Sequence, residues 1–265
     1  SPQRRRRFAQ AEKVCRQIIQ HKPANSEAHN ILGVSLNAMG RPKEAVLSLK
    51  RATKLAPRVA SFYANLGEVQ RASGNLADAV VTLIEAVRLD PNNAQARNNL
   101  GIVHFERKQY QDAIECYRKA LEISPDYAEA HNNLGNALRM LGEYEEAQAE
   151  YQEALLRREV YPEAYNNLGC LLRETKKTAQ AEHALKKAIA QNPRYADAYN
   201  NLGALYHSEG KDVEALRQMA EVLKFAPRNA TSLILTARIQ LKRGAYELAE
   251  RAVRTVIEDN PSNAE

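Results

Sequence analysis

The sequence contains no tryptophan, only four phenylalanines and three methionines, and just three cysteines among its 265 residues. Cys15, Cys116 and Cys170 are odd in number, far apart and without metal-ligand spacing, which excludes a disulfide framework and a cysteine-based zinc site. They read as small apolar packing residues in a reducing compartment, and the expected location is the cytoplasm. No apolar run reaches the length of a bilayer span or of a signal-peptide core, so membrane attachment is expected only through segments outside this sequence. Glycine-rich phosphate loops and nucleophile elbows are missing. His21, His29, His104, His131, His183 and His207 share no recurring metal-ligand or general-base spacing. Neither catalysis, a metal nor a cofactor is therefore expected of this chain. The absence of serine-rich or glycine-rich tracts excludes a linker and predicts one continuous body. The net charge of +6 is modest, and part of it lies in the run Arg4, Arg5, Arg6, Arg7. Such a run reads as a solvated flank, and nucleic-acid binding is disfavoured.

The few glycines and prolines that are present fall at fixed intervals. Asn65–Leu66–Gly67, Asn99–Leu100–Gly101, Asn133–Leu134–Gly135, Asn167–Leu168–Gly169 and Asn201–Leu202–Gly203 follow one another every 34 residues without an insertion. A helical apolar pattern at that period predicts stacked helix pairs, each unable to bury its apolar face without its neighbours. Seven full units are expected, over 26–59, 60–93, 94–127, 128–161, 162–195, 196–229 and 230–263. Residues 1–25 form a basic flank and a half unit, and 264–265 open a further, truncated one. That arrangement predicts a piece of a longer array, since an array needs polar capping helices at its ends.

Each recurring position has a physical reading. Asn25, Asn93 and Asn229 precede first helices as N-cap candidates. Gly33 and its repeats lie in mid-helix, where glycine costs about 0.8 to 1 kcal/mol relative to alanine. Close approach of the second helix would offset that cost, with Ala45, Ala79, Ala113, Ala147, Ala181, Ala215 and Ala249 facing the glycines. Ala52, Ala86, Ala120, Ala154 and Ala188 would seat the next first helix. Glycines at 40, 74, 142, 210 and 244 end first helices, with Lys108 and Lys176 as exceptions. Prolines close the second helices, from Pro57 to Pro261. In the fourth unit Glu159 stands at that place and Pro162 follows, which predicts a rebuilt turn with the register kept. Tyr63, Tyr165 and Tyr199 share the fourth place of their units and read as filling the seam between helices.

The combination of Leu, Gly, Ala, a bulky residue (Leu49, Leu83, Tyr117, Tyr151, Leu185, Met219), Ala and Pro at fixed places resembles the tetratricopeptide repeat over nearly the whole chain. The resemblance implies an all-α fold, a right-handed superhelical α-solenoid of antiparallel helix pairs whose first helices line a concave groove. The seventh unit departs, with Thr236 and Ala237 for Leu and Gly and Val256 for Ala. Within the family, the asparagine before Leu–Gly resembles the arm of the O-GlcNAc transferases, whose asparagine ladder holds extended peptide by its backbone. Asn65, Asn99, Asn133, Asn167 and Asn201 match it, whereas Ile31 and Leu235 break it. Carboxylate-clamping relatives place a lysine one residue earlier in their first unit, where this chain has Asn30, so capture of an acidic C-terminus is disfavoured.

An asparagine amide offers one donor group and one acceptor, the pair that a peptide unit presents whatever its side chain. The expected function is therefore a protein-binding scaffold that holds an extended partner segment on Asn65, Asn99, Asn133, Asn167 and Asn201, flanked by Asn98, Asn132, Asn166 and Asn200. The competing readings are interhelical roles for these amides, a substrate-selecting arm of a larger enzyme such as a glycosyltransferase, and self-assembly through the terminal repeats.

Overall fold

A computed structural model describes residues 2–259. Among these there are fifteen helices and no strand: α1 (Pro2–His21), α2 (Ser26–Ala38), α3 (Pro42–Leu55), α4 (Ala60–Ala72), α5 (Leu76–Leu89), α6 (Ala94–Glu106), α7 (Tyr110–Ile123), α8 (Ala128–Leu141), α9 (Tyr144–Arg157), α10 (Pro162–Glu174), α11 (Thr178–Gln191), α12 (Ala196–Ser208), α13 (Asp212–Phe225), α14 (Ala230–Lys242) and α15 (Tyr246–Asp259). The chain divides into two compact units, residues 1–142 and 143–265. Within each, every helix packs on its sequence neighbours, and successive first helices also touch one another, as α2, α4, α6 and α8 do in the first unit and α10, α12 and α14 in the second. That is solenoid packing. The expected opening of a further repeat at Ala264 and Glu265, and the closing role of Pro261, fall outside the described residues.

Asn25, Asn93 and Asn229 cap α2, α6 and α14, each side chain accepting from the backbone amide of Ala28, Ala96 or Ser232 at 2.8–2.9 Å. Between the helices the chain turns through a left-handed residue, and here Lys108 and Lys176 are not exceptions in conformation. They take φ of 60° and 59°, beside 73–83° for the five glycines in the same place. A lysine there bears the steric cost of its Cβ in that region, so the repeat imposes the turn even without the residue that suits it.

The glycine of the first helix is covered differently from the expectation. A Cβ on Gly67 would lie 2.5 Å from Cγ of Leu83, and one on Gly101 2.6 Å from Cε1 of Tyr117. The large side chain, not the alanine, fills the space above the glycine. The alanine contributes by its backbone: the carbonyl oxygen of Ala45 would stand 3.0 Å from a Cβ on Gly33. Leu83, Tyr117 and the alanines at 45, 79 and 113 are fully or almost fully buried. The second small phase, Ala52, Ala86, Ala120, Ala154 and Ala188, is completely buried as well.

At the fourth place Tyr63, Tyr165 and Tyr199 are half-buried, Tyr199 packs on Phe225 of α13 with ring centroids 6.3 Å apart, and Leu233 is buried in a core cluster. Five side chains at that place reach back six residues to a prolyl carbonyl: Tyr63 to Pro57 and Tyr199 to Pro193 at 3.4 Å, His131 to Pro125 at 2.9 Å, His29 to Pro23 at 3.0 Å, and Arg97 to Pro91 at 2.9 Å. Each satisfies a carbonyl that the turn leaves without a helical partner. Where proline is replaced by Glu159 a different lock appears. The amide of Gln191 donates to the Glu159 carbonyl and its oxygen accepts from the Tyr161 backbone, both at 2.8 Å, while the Arg158 guanidinium stacks 4.5 Å from the Tyr161 ring. α10 then starts at Pro162 in register.

Candidate functional site

The asparagines before each Leu–Gly pair sit in the second turn of α4, α6, α8, α10 and α12. Consecutive residues on a helix diverge by about 100°, and the two asparagine rows separate accordingly. Asn98, Asn132, Asn166 and Asn200 are buried, at 3–6% exposure, as is Asn30 at 8%. Asn65, Asn99, Asn133, Asn167 and Asn201 are half-buried. The buried row lies in the seams between first helices, and the half-buried row stands at their edge.

The structure brings the rows together in pairs one repeat apart. Asn65 Nδ2 donates to Asn30 Oδ1 at 2.9 Å, Asn133 Nδ2 to Asn98 Oδ1 at 3.0 Å, and Asn201 Nδ2 to Asn166 Oδ1 at 2.9 Å. In each case the outer asparagine belongs to the later repeat, 35 residues on. A primary amide has two N–H groups and an oxygen with two lone pairs. One N–H is thus used to fix the side chain, and one N–H and the oxygen of Asn65, Asn133 and Asn201 make no bond to the described residues.

The other hand of the buried row also has partners. Asn98 Nδ2 donates to the Tyr127 hydroxyl at 3.5 Å, and burial, which pushes the Tyr127 phenol up, keeps it neutral. Asn200 Nδ2 donates to Asn229 Oδ1 at 3.2 Å, and Asn200 Oδ1 accepts from the Ser232 hydroxyl at 2.6 Å. Ser232 takes the place of the missing rung, since Leu235 has no amide to offer. Asn98 and Asn200 therefore hold repeats together. Asn99 is the contrasting case: the residue 35 before it is Ala64, and its carboxamide makes no hydrogen bond to any described residue.

Beside Asn201 the first-helix face opens into a cleft of about 290 Å³ between α12 and α14, with Ala204, Ile234 and Leu235 as its apolar lining and Arg238 at its edge. Ile234 is 48% exposed, and Arg238 carries no ion pair among the described residues. The sequence reading passed over Asn30, Tyr127, Ser232 and Asn229 as partners of the ladder. The available signal was the 35-residue offset that pairs an asparagine with the one beside the next repeat's rung. Besides His29 and His131, two histidines have structural partners: His207 Nδ1 lies 2.6 Å from Asp212 and His104 Nδ1 3.3 Å from Gln109. Among the described residues no group of three or more His, Cys, Asp or Glu side chains is placed to hold a metal ion, and no helix is long and apolar enough to cross a membrane.

Four family models cover most of the chain: TPR repeat over residues 67–106 and 103–142, and three tetratricopeptide repeat models over 3–60, 126–191 and 184–217. No curated protein sequence matches. Among solved structures, PilF of Pseudomonas aeruginosa is 28% identical with a TM-score of 0.66, over 76% of this chain and 92% of its own. A tetratricopeptide repeat protein from Parabacteroides merdae is 22% identical with a TM-score of 0.72, covering 88% and 92%. YrrB, described as a TPR protein with an unusual peptide-binding site, is 23% identical with a TM-score of 0.54, covering 70% and 95%. The last two likenesses concern the fold.

Proposed function

The chain belongs to the tetratricopeptide repeat family, a protein-interaction scaffold, and from that premise we propose that its first helices hold an extended segment of a partner protein by its backbone. The observation that carries this reading is the half-tied state of the outer asparagines. One N–H of Asn65, Asn133 and Asn201 is anchored to the preceding repeat at 2.9–3.0 Å, which fixes the amide before any ligand arrives. Anchoring lowers the ordering cost of binding and leaves the donor and acceptor that a peptide unit requires. The architecture's capacity for such a site has a parallel in YrrB, described as having a peptide-binding site of its own.

Neighbouring first helices about 10 Å apart match about three residues of an extended chain rising about 3.3 Å each. Each hydrogen bond contributes a net of about 0.5–1.5 kcal/mol, so a handful of rungs supports micromolar affinity once ordering costs are met. Side-chain selectivity would come from the α12–α14 cleft, where Ile234 and Leu235 suit an aliphatic residue and Arg238 an acidic neighbour. None of the proteins reported above is an O-GlcNAc transferase, and the enzyme-arm reading gains no support from them.

The test is a library of fluorescent peptides of about ten residues, screened against the chain, with the best binder then titrated against variants. Asn65→Ala combined with Asn99→Ala and Asn133→Ala is expected to weaken it by about tenfold or more, with helical circular dichroism retained. Unchanged affinity would remove the asparagines from the mechanism.

A further inference from the structure

The second-helix side of the first unit carries a surface that the peptide reading does not use. Residues 1–60 hold thirteen lysines and arginines against three glutamates, a net charge of +10, while the rest of the chain carries −4, giving the overall +6. Two of those glutamates are already engaged. Glu12 lies 2.8 Å from Arg16 and 2.9 Å from Arg41, and Glu44 2.6 Å from Arg41. This four-charge cluster ties the middle of α1 to the start of α3 and sets the two second helices side by side. By contrast the side chains of Lys13, Lys50, Arg51 and Lys54 are exposed and make no hydrogen bond or ion pair with any described residue. Uncompensated cations in such density create a potential that draws an acidic partner.

Between α1 and α3 runs a cleft of about 430 Å³. Leu32 forms its floor at 5% exposure, Ile19 and Leu47 form its walls, and Arg16 and Arg51 stand at its rim. Leu47 is 69% exposed. Leu47, Arg51 and Lys54 are spaced four and three residues apart, so one face of α3 presents an apolar contact followed by two cations.

We propose that this cleft docks an acidic amphipathic helix of a partner protein, with an aliphatic side chain seated on Leu32 between Ile19 and Leu47 and carboxylates set against Arg51 and Lys54. A trough walled by two helices receives a third by interdigitation of side chains. Nucleic acid would satisfy the cations but has nothing to place on the apolar floor, and the one ring in the lining, the His29 imidazole, is tied to the Pro23 carbonyl at 3.0 Å. An anionic bilayer favours aliphatic groups that protrude into the interface, whereas the floor here is recessed.

The test uses the whole chain and a labelled synthetic helical peptide of about five turns, with leucines in one stripe and glutamates on both sides of it. Controls are the same composition scrambled to destroy the stripe, single-stranded DNA, and phosphatidylserine vesicles. The striped peptide is expected to bind about tenfold more tightly than the scrambled one and to lose about tenfold in R51E/K54E and again in L47E, while N99A leaves it unchanged. Because Leu47, Arg51 and Lys54 are exposed, these variants are expected to keep the circular dichroism of the parent. Equal binding of the striped and scrambled peptides would overturn the proposal, as would indifference to R51E/K54E and L47E. DNA or vesicles binding more tightly than the striped peptide, with the same variants abolishing it, would overturn it in favour of that polyanion.

Discussion

Asn99 and Asn133 occupy the same place in successive repeats and are followed by the same Leu–Gly pair, yet their side chains are held differently. Asn133 donates to Asn98 at 3.0 Å, because the repeat before it carries an asparagine in the adjoining place. Asn99 looks back at Ala64 and makes no such bond. The lesson is that a rung's character is set by a residue 35 positions earlier, not by its own neighbours in sequence. A ladder that looks uniform when read along the chain is therefore a mixture of pre-set and loose amides.

The severest way to break the comparison is to push α6 away from α7, which would displace Asn98 and Asn99 together. A Cβ at Gly101 would meet Tyr117 at 2.6 Å, and Tyr117 is 1% exposed with no room to retreat. Gly101→Val is expected to lower stability by about 2–3 kcal/mol, read as a shift of the urea midpoint. A smaller loss follows from removing only the acceptor. Asn98→Ala takes away the partner of Asn133 and the donor to Tyr127 in a buried seam, and about 1–2 kcal/mol is expected by the same measurement.

Ala64→Asn would sharpen the comparison from the other side by giving Asn99 the anchor it lacks. The expected gain is about 0.5–1 kcal/mol in stability, together with slower exchange of the Asn99 carboxamide protons in NMR spectra. No change in either would mean that the anchor depends on more than the pair of asparagines. The smallest effect concerns a seam held by ions instead of amides. Hydrogen bonding from Arg16, with Arg41 adding to it, holds the Glu12 carboxyl below its ordinary 4.5, and Arg41 does the same for Glu44. A carboxylate depressed by folding stabilises the folded state above its unfolded pKa, and that contribution is lost as pH falls through the lower, folded value. Protection factors of the α1 amides are thus expected to fall below about pH 4.5 before those of α6 and α8 do, because asparagine pairs do not titrate.

Most of the architecture was legible because it rests on local, repeated signals. The caps Asn25, Asn93 and Asn229, the buried alanines and the register across Glu159 need only the 34-residue period to be seen. Two details were not. The fit of Leu83 and Tyr117 over the glycines depends on side-chain length in three dimensions, and the bonds from Tyr63, His131 and Arg97 to prolyl carbonyls unite residue types that share reach but not chemistry. At the site, the sequence gives the two asparagine rows but not their division of labour. Burial decides that, by turning Asn98 and Asn200 into fasteners and leaving Asn65, Asn99 and Asn133 at the edge.

The most direct measurement is the response of the asparagine carboxamide resonances to a bound peptide, followed by nitrogen–proton NMR during titration. The Asn99 signals, and those of Asn65, Asn133 and Asn201, are expected to move while Asn98 and Asn200 stay in place. Peptide binding that leaves all the outer carboxamides unmoved would contradict the account.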